Sequence, residues 1–443
     1  MFRFSRGALT GIGKTYLAAF DSREYKRILF VAHREEILKQ AEKSFKNVRP
    51  MSERGFFIGN QKDTTKDIIF ASVQSLGKND SLKLFQPDYF DYIIVDEFHH
   101  AVAQNYQNII QYFKPKFLLG LTATPERLDS KDVLAICDYN LVYEAPLKKA
   151  INQGWLVPFR YYAIFDETVN YETIDYRNGK YQTTQLEEAL SIHKRADLIF
   201  SHYKKYRSTR AMGFCMSKHH AEFMADYFVK HGVSACAVYS GDEGVHNTAR
   251  EKALSKLVKG EINVIFSVDM FNEGLDIASL DMVMMLRPTE SPTIFLQQLG
   301  RGLRLYKDKH YLNVLDFIGN YKKANFSPYL MTGASKSQFK KASDVIKEDS
   351  LLPEDCIMDF DFRLIDLFEK MDRSSIKIEK LLVEEYERIK AELGHRPSRT
   401  ELFTYMDETI YLNIKSKAKI NPFKNYLNFL KNQNDLSDEE IAW

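Results

Sequence analysis

The stretch Ala8-Leu9-Thr10-Gly11-Ile12-Gly13-Lys14-Thr15 places a lysine and a hydroxyl directly behind two closely spaced glycines. Glycine lets successive backbone N–H groups curl around an anion with no Cβ in the way. The Lys14 ammonium then meets the outer phosphates of a nucleotide, and the Thr15 hydroxyl ligates Mg²⁺. The apolar run Tyr16-Leu17-Ala18-Ala19-Phe20 predicts a helix whose N-terminus adds its own positive end. Ala8 stands where this phosphate-loop pattern has its first glycine, and the bland alternative is a glycine-rich turn. A second set follows the strand-like Tyr92-Ile93-Ile94-Val95, namely Asp96-Glu97-Phe98-His99-His100. A buried strand that delivers two carboxylates at its C-terminal tip puts them where an open α/β sheet binds ligands. Asp96 suits Mg²⁺ held through water, and Glu97 suits polarising an attacking water. The alternative is a surface Asp-Glu pair. His99 and His100 are adjacent, so their side chains diverge and no third ligand stands nearby. A polar link from one of them to the following motif is expected, not a metal site.

These residues need a scaffold that brings them to one edge. Ile28-Leu29-Phe30-Val31-Ala32, Asp67-Ile68-Ile69-Phe70-Ala71, Tyr92 to Val95 and Phe117-Leu118-Leu119-Gly120-Leu121 are short and apolar on both faces. That pattern predicts strands buried in a parallel sheet covered by helices, such as one beginning at Glu35-Glu36-Ile37-Leu38. The alternation predicts an open doubly wound α/β domain over residues 1–150. Residues 151–190, with many Tyr and Thr, read as a connector with one or two strands. A second α/β series follows over 191–330, with strands at Ala211, Ala235, Asn263, Asp281 and Tyr311. From 331 to 443 the pattern turns helical. Lys380 to Leu393 predicts a helix stopped by Gly394, and Ser398 with Glu401 predicts a capping box that restarts one.

Composition bounds the answer. At 443 residues the chain has room for roughly three domains. Hydrophobic residues at 44% and charged residues at 28% exclude a disordered tail, a collagen and a disulfide-stapled miniprotein. No run of eighteen apolar residues and no signal peptide stands out, so no membrane partner is expected and a cytoplasmic setting is the simplest. Four scattered cysteines without a CxxC pair fit the same setting. A net charge of +2 means that any nucleic acid meets a local basic groove and not bulk charge.

From residue 8 to about 320 the ordered motifs resemble a superfamily 2 helicase or translocase of the DEAD/DEAH-like kind, in the branch with type III restriction subunits. Val31-Ala32-His33-Arg34-Glu35 with Gln40 looks like its first strand-contacting motif, and Ala71-Ser72-Val73-Gln74-Ser75-Leu76 like the next. Asp96-Glu97-Phe98-His99 resembles motif II and Thr122-Ala123-Thr124-Pro125 motif III. Phe214-Cys215-Met216-Ser217 with His220-Ala221 resembles motif IV. Phe266-Ser267-Val268-Asp269 through Asn272-Glu273-Gly274-Leu275-Asp276-Ile277 resembles motif V, and Gln297-Gln298-Leu299-Gly300-Arg301-Gly302-Leu303-Arg304 motif VI. The resemblance implies two RecA-like parallel-sheet domains facing across an ATP cleft, plus a mainly helical C-terminal domain. It implies ATP and Mg²⁺ as cofactors, Arg301 and Arg304 as arginine fingers, and Gly274 and Asp276 beside the ribose. It implies nucleic-acid contacts from Arg34, Ser72, Gln74, Ser217 and Ser267, with DNA favoured over RNA and a nuclease or restriction partner in view. Singly, Arg34 also reads as a helix-surface charge, Ser72 and Gln74 as loop caps, and Asn320 as a turn residue.

One departure stands at the start, where Lys14 lies only thirteen residues after Met1. The family has an upstream segment there that reads adenine, so a truncated start, or a weakened adenine pocket, is expected. The stub Phe2 to Ala8 is expected barely to supply a strand, and the sheet edge beside it to lie exposed. Any base-reading by this chain would then fall to the connector near Tyr161 and Tyr162. The tail after Asn320 more weakly resembles a domain of unknown function appended to some relatives. Arg396 and Arg399 around its Gly394 turn suit either a helix-turn-helix edge facing phosphates or a hairpin with solvated arginines. Lys415, Lys417, Lys419 and Lys424 among Tyr411, Phe423 and Tyr426 form a candidate basic-aromatic patch.

Overall fold

The apolar runs come to rest as the interior strands of two parallel sheets. The computed structural model describes residues 2–6, 13–122, 134–137, 140–177, 180–206, 208–241, 244–268, 277–288, 292–322, 324–334, 339, 341–375, 378–406, 422–423, 425–433 and 435–436. The first sheet holds β1 (Phe2–Arg6), β2 (Ile28–Ala32), β3 (Arg54–Ile58), β4 (Gln61–Lys62), β5 (Ile68–Ser72), β6 (Tyr92–Asp96), β7 (Phe117–Leu121) and β8 (Leu141–Glu144). Their order is β4-β3-β5-β2-β6-β7-β1-β8, parallel throughout except for β4. Alternate side chains divide between two cores. Leu29, Val31, Ile69, Ala71, Ile93 and Val95 enter one, while Ile28, Phe30, Ile68, Phe70 and Ile94 enter the other with Ala18, Leu38 and Phe45 from the covering helices. Burial on both faces is what makes these strands read as continuous hydrophobic runs.

Register decides what the sheet can present. Ala32 lies opposite Ser72, Asp96 opposite Leu121, and Leu121 opposite Ser5. The C-terminal ends of β1, β2, β5, β6 and β7 therefore lie along one edge. The opening residues, expected barely to supply a strand, form one of five residues. β1 is interior, between β7 and β8, so the outermost strand on this side is β8.

The second sheet holds β9 (Phe159–Phe165), β12 (Ala211–Phe214), β13 (Ala235–Val238), β14 (Val264–Ser267), β15 (Met282–Met285), β16 (Leu312–Ile318) and β17 (Ile357–Phe360), while β10 (Tyr176–Arg177) and β11 (Lys180–Tyr181) form a separate hairpin. Its order is β13-β14-β12-β15-β16-β9-β17, all parallel. β9, from the connector, pairs with β16 from Leu312↔Phe159 to Ile318↔Phe165. β17 falls within the segment read as helical.

By its contacts the chain divides into Met1–Lys340 with Asp344–Leu364, which carries both sheets, and Lys341–Ser343 with Ile365–Trp443. The latter is helical, and packs Leu382, Tyr386 and Ile389 with Leu402, Met406, Phe429 and Leu430. Gly394 has φ 71° after the helix Ile378–Leu393, and Ser398 and Glu401 make the expected reciprocal cap. Arg396 donates to the Asp435 carbonyl at 3.0 Å, while Arg399 is exposed. Of the candidate basic-aromatic patch, Phe423 and Tyr426 are described, and Tyr411 and the four lysines lie outside the described residues. Among the described residues no helix is long and apolar enough to cross a membrane.

Candidate functional site

Gly13 follows β1 and precedes the helix Lys14–Asp21, with φ 86° and ψ 28°. A side chain would strain that left-handed backbone, so glycine fits this position. Its carbonyl accepts the first helical hydrogen bond from Leu17 N at 2.9 Å. The Lys14 Nζ is buried, and among the described residues it has no hydrogen-bond partner. A buried ammonium without an acceptor is costly unless a ligand supplies the anion. Thr15 is half-buried in the first turn. Gly11 and Ile12 lie outside the described residues.

Asp96, Glu97 and Thr122 stand at or just past the ends of the neighbouring strands β6 and β7. Asp96 ends β6 and is buried, as is Glu97 behind it. Asp96 Oδ1 accepts Glu97 N–H at 3.0 Å, and Glu97 O accepts His100 N–H at 2.9 Å. This turn forces Glu97 to φ 49° and ψ 51°, unusual for a residue with a Cβ. Such strain persists where surroundings over-determine it, and it clusters at functional sites. The His100 ring packs edge-on against His33, behind β2, with centroids 5.5 Å apart, and stacks on Tyr106 at 6.5 Å. Thr122 is buried behind β7, and the rest of its motif lies outside the described residues. Among the described residues no cluster of three His, Cys, Asp or Glu could hold a metal ion. A cation here would draw on phosphate oxygens and water besides Asp96 and Thr15, as Mg²⁺ sites usually do.

The candidate strand contacts differ from one another. Ser72 caps Val73–Leu76, accepting Ser75 N–H at 3.3 Å and donating to Ser75 Oγ at 2.9 Å, which is the capping alternative. Gln74 beside it is exposed. Arg34 is half-buried at the N-cap of Glu35–Val48. Ser217 accepts His220 N–H at 3.1 Å as N-cap of Lys218–Lys230 and keeps its own proton to donate. Ser267 Oγ, at the tip of β14, is buried and has no partner among the described residues.

Arg301 lies in the helix Pro292–Gly302 and is 1% exposed. Arg304 is half-buried just beyond it, in an antiparallel bridge with Leu156. Gly274 and Asp276 lie outside the described residues. Two supports were not legible in the sequence. Lys309 Nζ donates to the carbonyls of Ala278 at 3.0 Å, Arg304 at 3.1 Å and Gly302, which pins the turn carrying Arg304. Arg195, fully buried, donates to Asp166 at 2.7 Å and to the Leu286 carbonyl at 3.0 Å, and lies 3.5 Å from His220 Nε2. Burial, then the charges of Arg195 and His219, holds His220 well below the ordinary imidazole range, so it is neutral and accepts Met216 N–H. One guanidinium thus ties together the loops behind β9, β12 and β15. Of the connector's tyrosines, Tyr161 is closed to a base and Tyr162 is half-buried. Tyr161 is buried on Asp316 at 2.6 Å, and Tyr162 stacks on Tyr206 with centroids 3.8 Å apart.

Residues 7–127 match the family described as type III restriction enzyme, res subunit, and residues 191–306 match the helicase conserved C-terminal domain. The chain belongs to helicase superfamily 2. The superfamily 2 matches span β2 to β7 in the first sheet and β12 to β15 in the second. The chain is 27% identical over 305 residues to the helicase-named IRC3 of Saccharomyces cerevisiae, covering 66% of this chain and 43% of that protein. It is 26% identical over 404 residues to the type I restriction enzyme EcoAI endonuclease subunit of Escherichia coli, covering 81% of this chain and 48% of that one. It therefore spans less than half the length of either relative. In fold it resembles a fragment of an HsdR-type subunit of a type I restriction enzyme from Vibrio vulnificus YJ016, with TM-score 0.55 and 24% identity over 81% of this chain and 64% of that one.

Proposed function

We propose that this chain is a Mg²⁺-dependent ATP hydrolase that moves along nucleic acid, with DNA as its track. The buried Lys14 ammonium, without a hydrogen-bond partner among the described residues, is the observation that carries this reading, and the buried Asp96 and Glu97 at the end of β6 support it. Gly11, Ile12 and Gly13 offer backbone N–H groups to the phosphates, and Lys14 offers its charge. Thr15 and Asp96 hold Mg²⁺, which neutralises phosphate charge when bound. Glu97 orients the attacking water and takes its proton. Arg301 and Arg304 stabilise the charge that develops on the transferred phosphoryl, and Gly274 and Asp276 face the ribose. Arg34, Gln74, Ser217 and Ser267 contact the strand, with Ser72 shaping the loop that carries Gln74. Such contacts position a strand without reading its sequence.

DNA is preferred to RNA because of the likeness to restriction subunits. The same likeness supports a second reading, a motor subunit of a restriction or nuclease assembly that travels on duplex without parting its strands. Strand displacement and triplex displacement, each with ATP, separate the two. Loss of both activities in a protein that still hydrolyses ATP on DNA would remove the motor reading.

A further inference from the structure

Beside Lys14 a groove of about 970 Å³ runs along the flank of the helix Lys14–Asp21, past that helix to Tyr25 and across β8. Its apolar walls include Leu17, Phe20, Tyr25, Tyr143 and Trp155, and Asp21 and Glu24 also line it. Phe20 is 50% exposed and Trp155 39% exposed, so flat apolar side chains reach solvent beside Lys14, whose Nζ is buried without a hydrogen-bond partner among the described residues. Neighbouring groups hold the walls in place. The Arg23 guanidinium sits 4.4 Å from the Phe20 ring centroid, and Lys149 sits 5.1 Å from that of Tyr143. Tyr25 packs edge-on against Tyr92, whose hydroxyl donates to Asp21 at 2.5 Å.

A ligand that satisfies both ends carries several negative charges at one end and a flat aromatic body at the other. The eight-residue helix is about 12 Å long at 1.5 Å per residue, which leaves room beyond the phosphates for ribose and base. We infer that this groove holds the base and ribose of the nucleoside triphosphate, with Tyr143 and Trp155 as the residues that stack on the base. This rests on the phosphate reading of Lys14 and goes beyond it, because it assigns base recognition to β8 and the turn behind it. Stacking favours purines over pyrimidines and tells adenine from guanine poorly.

The chain has two tryptophans, so Trp443→Phe leaves Trp155 as the sole reporter. ATP and inorganic tripolyphosphate are titrated while Trp155 emission and binding heat are followed. The expected result is that ATP changes the emission and tripolyphosphate binds without doing so. Tyr143→Ala and Trp155→Ala each weaken ATP binding about tenfold, as loss of one stacking contact implies, and leave tripolyphosphate affinity unchanged. Trp155→Phe retains most of the ATP affinity, because a flat ring remains. ATP affinity unchanged in both alanine variants would overturn the base assignment alone, and leave the groove to another occupant such as a polypeptide segment. If neither ATP nor tripolyphosphate bound the parent chain, the phosphate reading would fall and this assignment with it.

Discussion

A left-handed backbone at a residue with a side chain costs about 1–2 kcal/mol, and Glu97 holds one at φ 49°. The turn spends that strain to set the carboxylate behind Asp96. Glu97→Gln keeps the shape and removes the proposed base. It should slow hydrolysis by at least about a hundredfold in single-turnover measurements while nucleotide affinity stays near the parent's. Lys14→Ala should instead weaken nucleotide binding, read by titration, and hydrolysis at the parent rate in Glu97→Gln would remove the assigned role. Asp316 gives a different test. Burial, offset by hydrogen bonds from Tyr161 and Ser327, raises its carboxyl to about 6. Between about pH 4 and 6 the folded chain keeps this proton and the unfolded chain has lost it, so stability falls as pH rises through that window. Asp316→Asn should be free of this loss, which is on the order of 3 kcal/mol for about two pH units. Urea midpoints of parent and variant that kept the same separation from pH 4 to 7 would contradict it. The glycine–lysine–threonine run and the Asp-Glu pair were legible in the sequence because their chemistry is local. Arg195 was not, since its partners Asp166 and Leu286 lie 29 and 91 residues away.

At the scale of elements, strands buried on both faces announced themselves as short apolar runs, and β2 and β7 match the expected bounds. β17 did not, because its residues alternate between exposed and half-buried at the end of the second sheet. β3 did not either, since it opens with Arg54-Gly55 and buries little beyond Phe57 among its side chains. One or two strands were expected in the connector without a place for either, and the position of β9 in the second sheet depends on pairing with β16, about 150 residues later. Asp166, just past β9, and Arg195 in the helix His193–Tyr206 form a fully buried ion pair that ties the end of that strand to the loop behind β15. Asp166→Ala leaves the guanidinium buried without its counter-charge and should cost about 3–5 kcal/mol in denaturant unfolding. Adding Arg195→Met should recover much of the loss. A double variant as unstable as the sum of both single changes would show that the pair is not coupled. Arg304 belongs to the turn pinned by Lys309, and Arg304→Ala should lower kcat more than nucleotide affinity if its charge acts on the transition state. Turnover equal to the parent's would show that the second sheet does not complete the site.

Across the larger unit, charges on helices of the two sheets act on one another. Burial lowers the Arg250 guanidinium, with Glu36 opposing that shift and Arg34 adding to it, which sets the start of Arg250–Lys259 beside the start of Glu35–Val48. Such contacts between two domains let a change at a nucleotide alter the surface a strand sees. A nucleic-acid motor therefore has to couple the two ligands, whereas a non-catalytic binder does not. The direct test is steady-state ATP hydrolysis by the parent chain and by Glu97→Gln, without nucleic acid and with single-stranded DNA, duplex DNA or RNA. The expected result is Mg²⁺-dependent hydrolysis that rises on addition of DNA, less with RNA, and is lost in Glu97→Gln. ATP bound by the parent chain but hydrolysed under none of these conditions would contradict it.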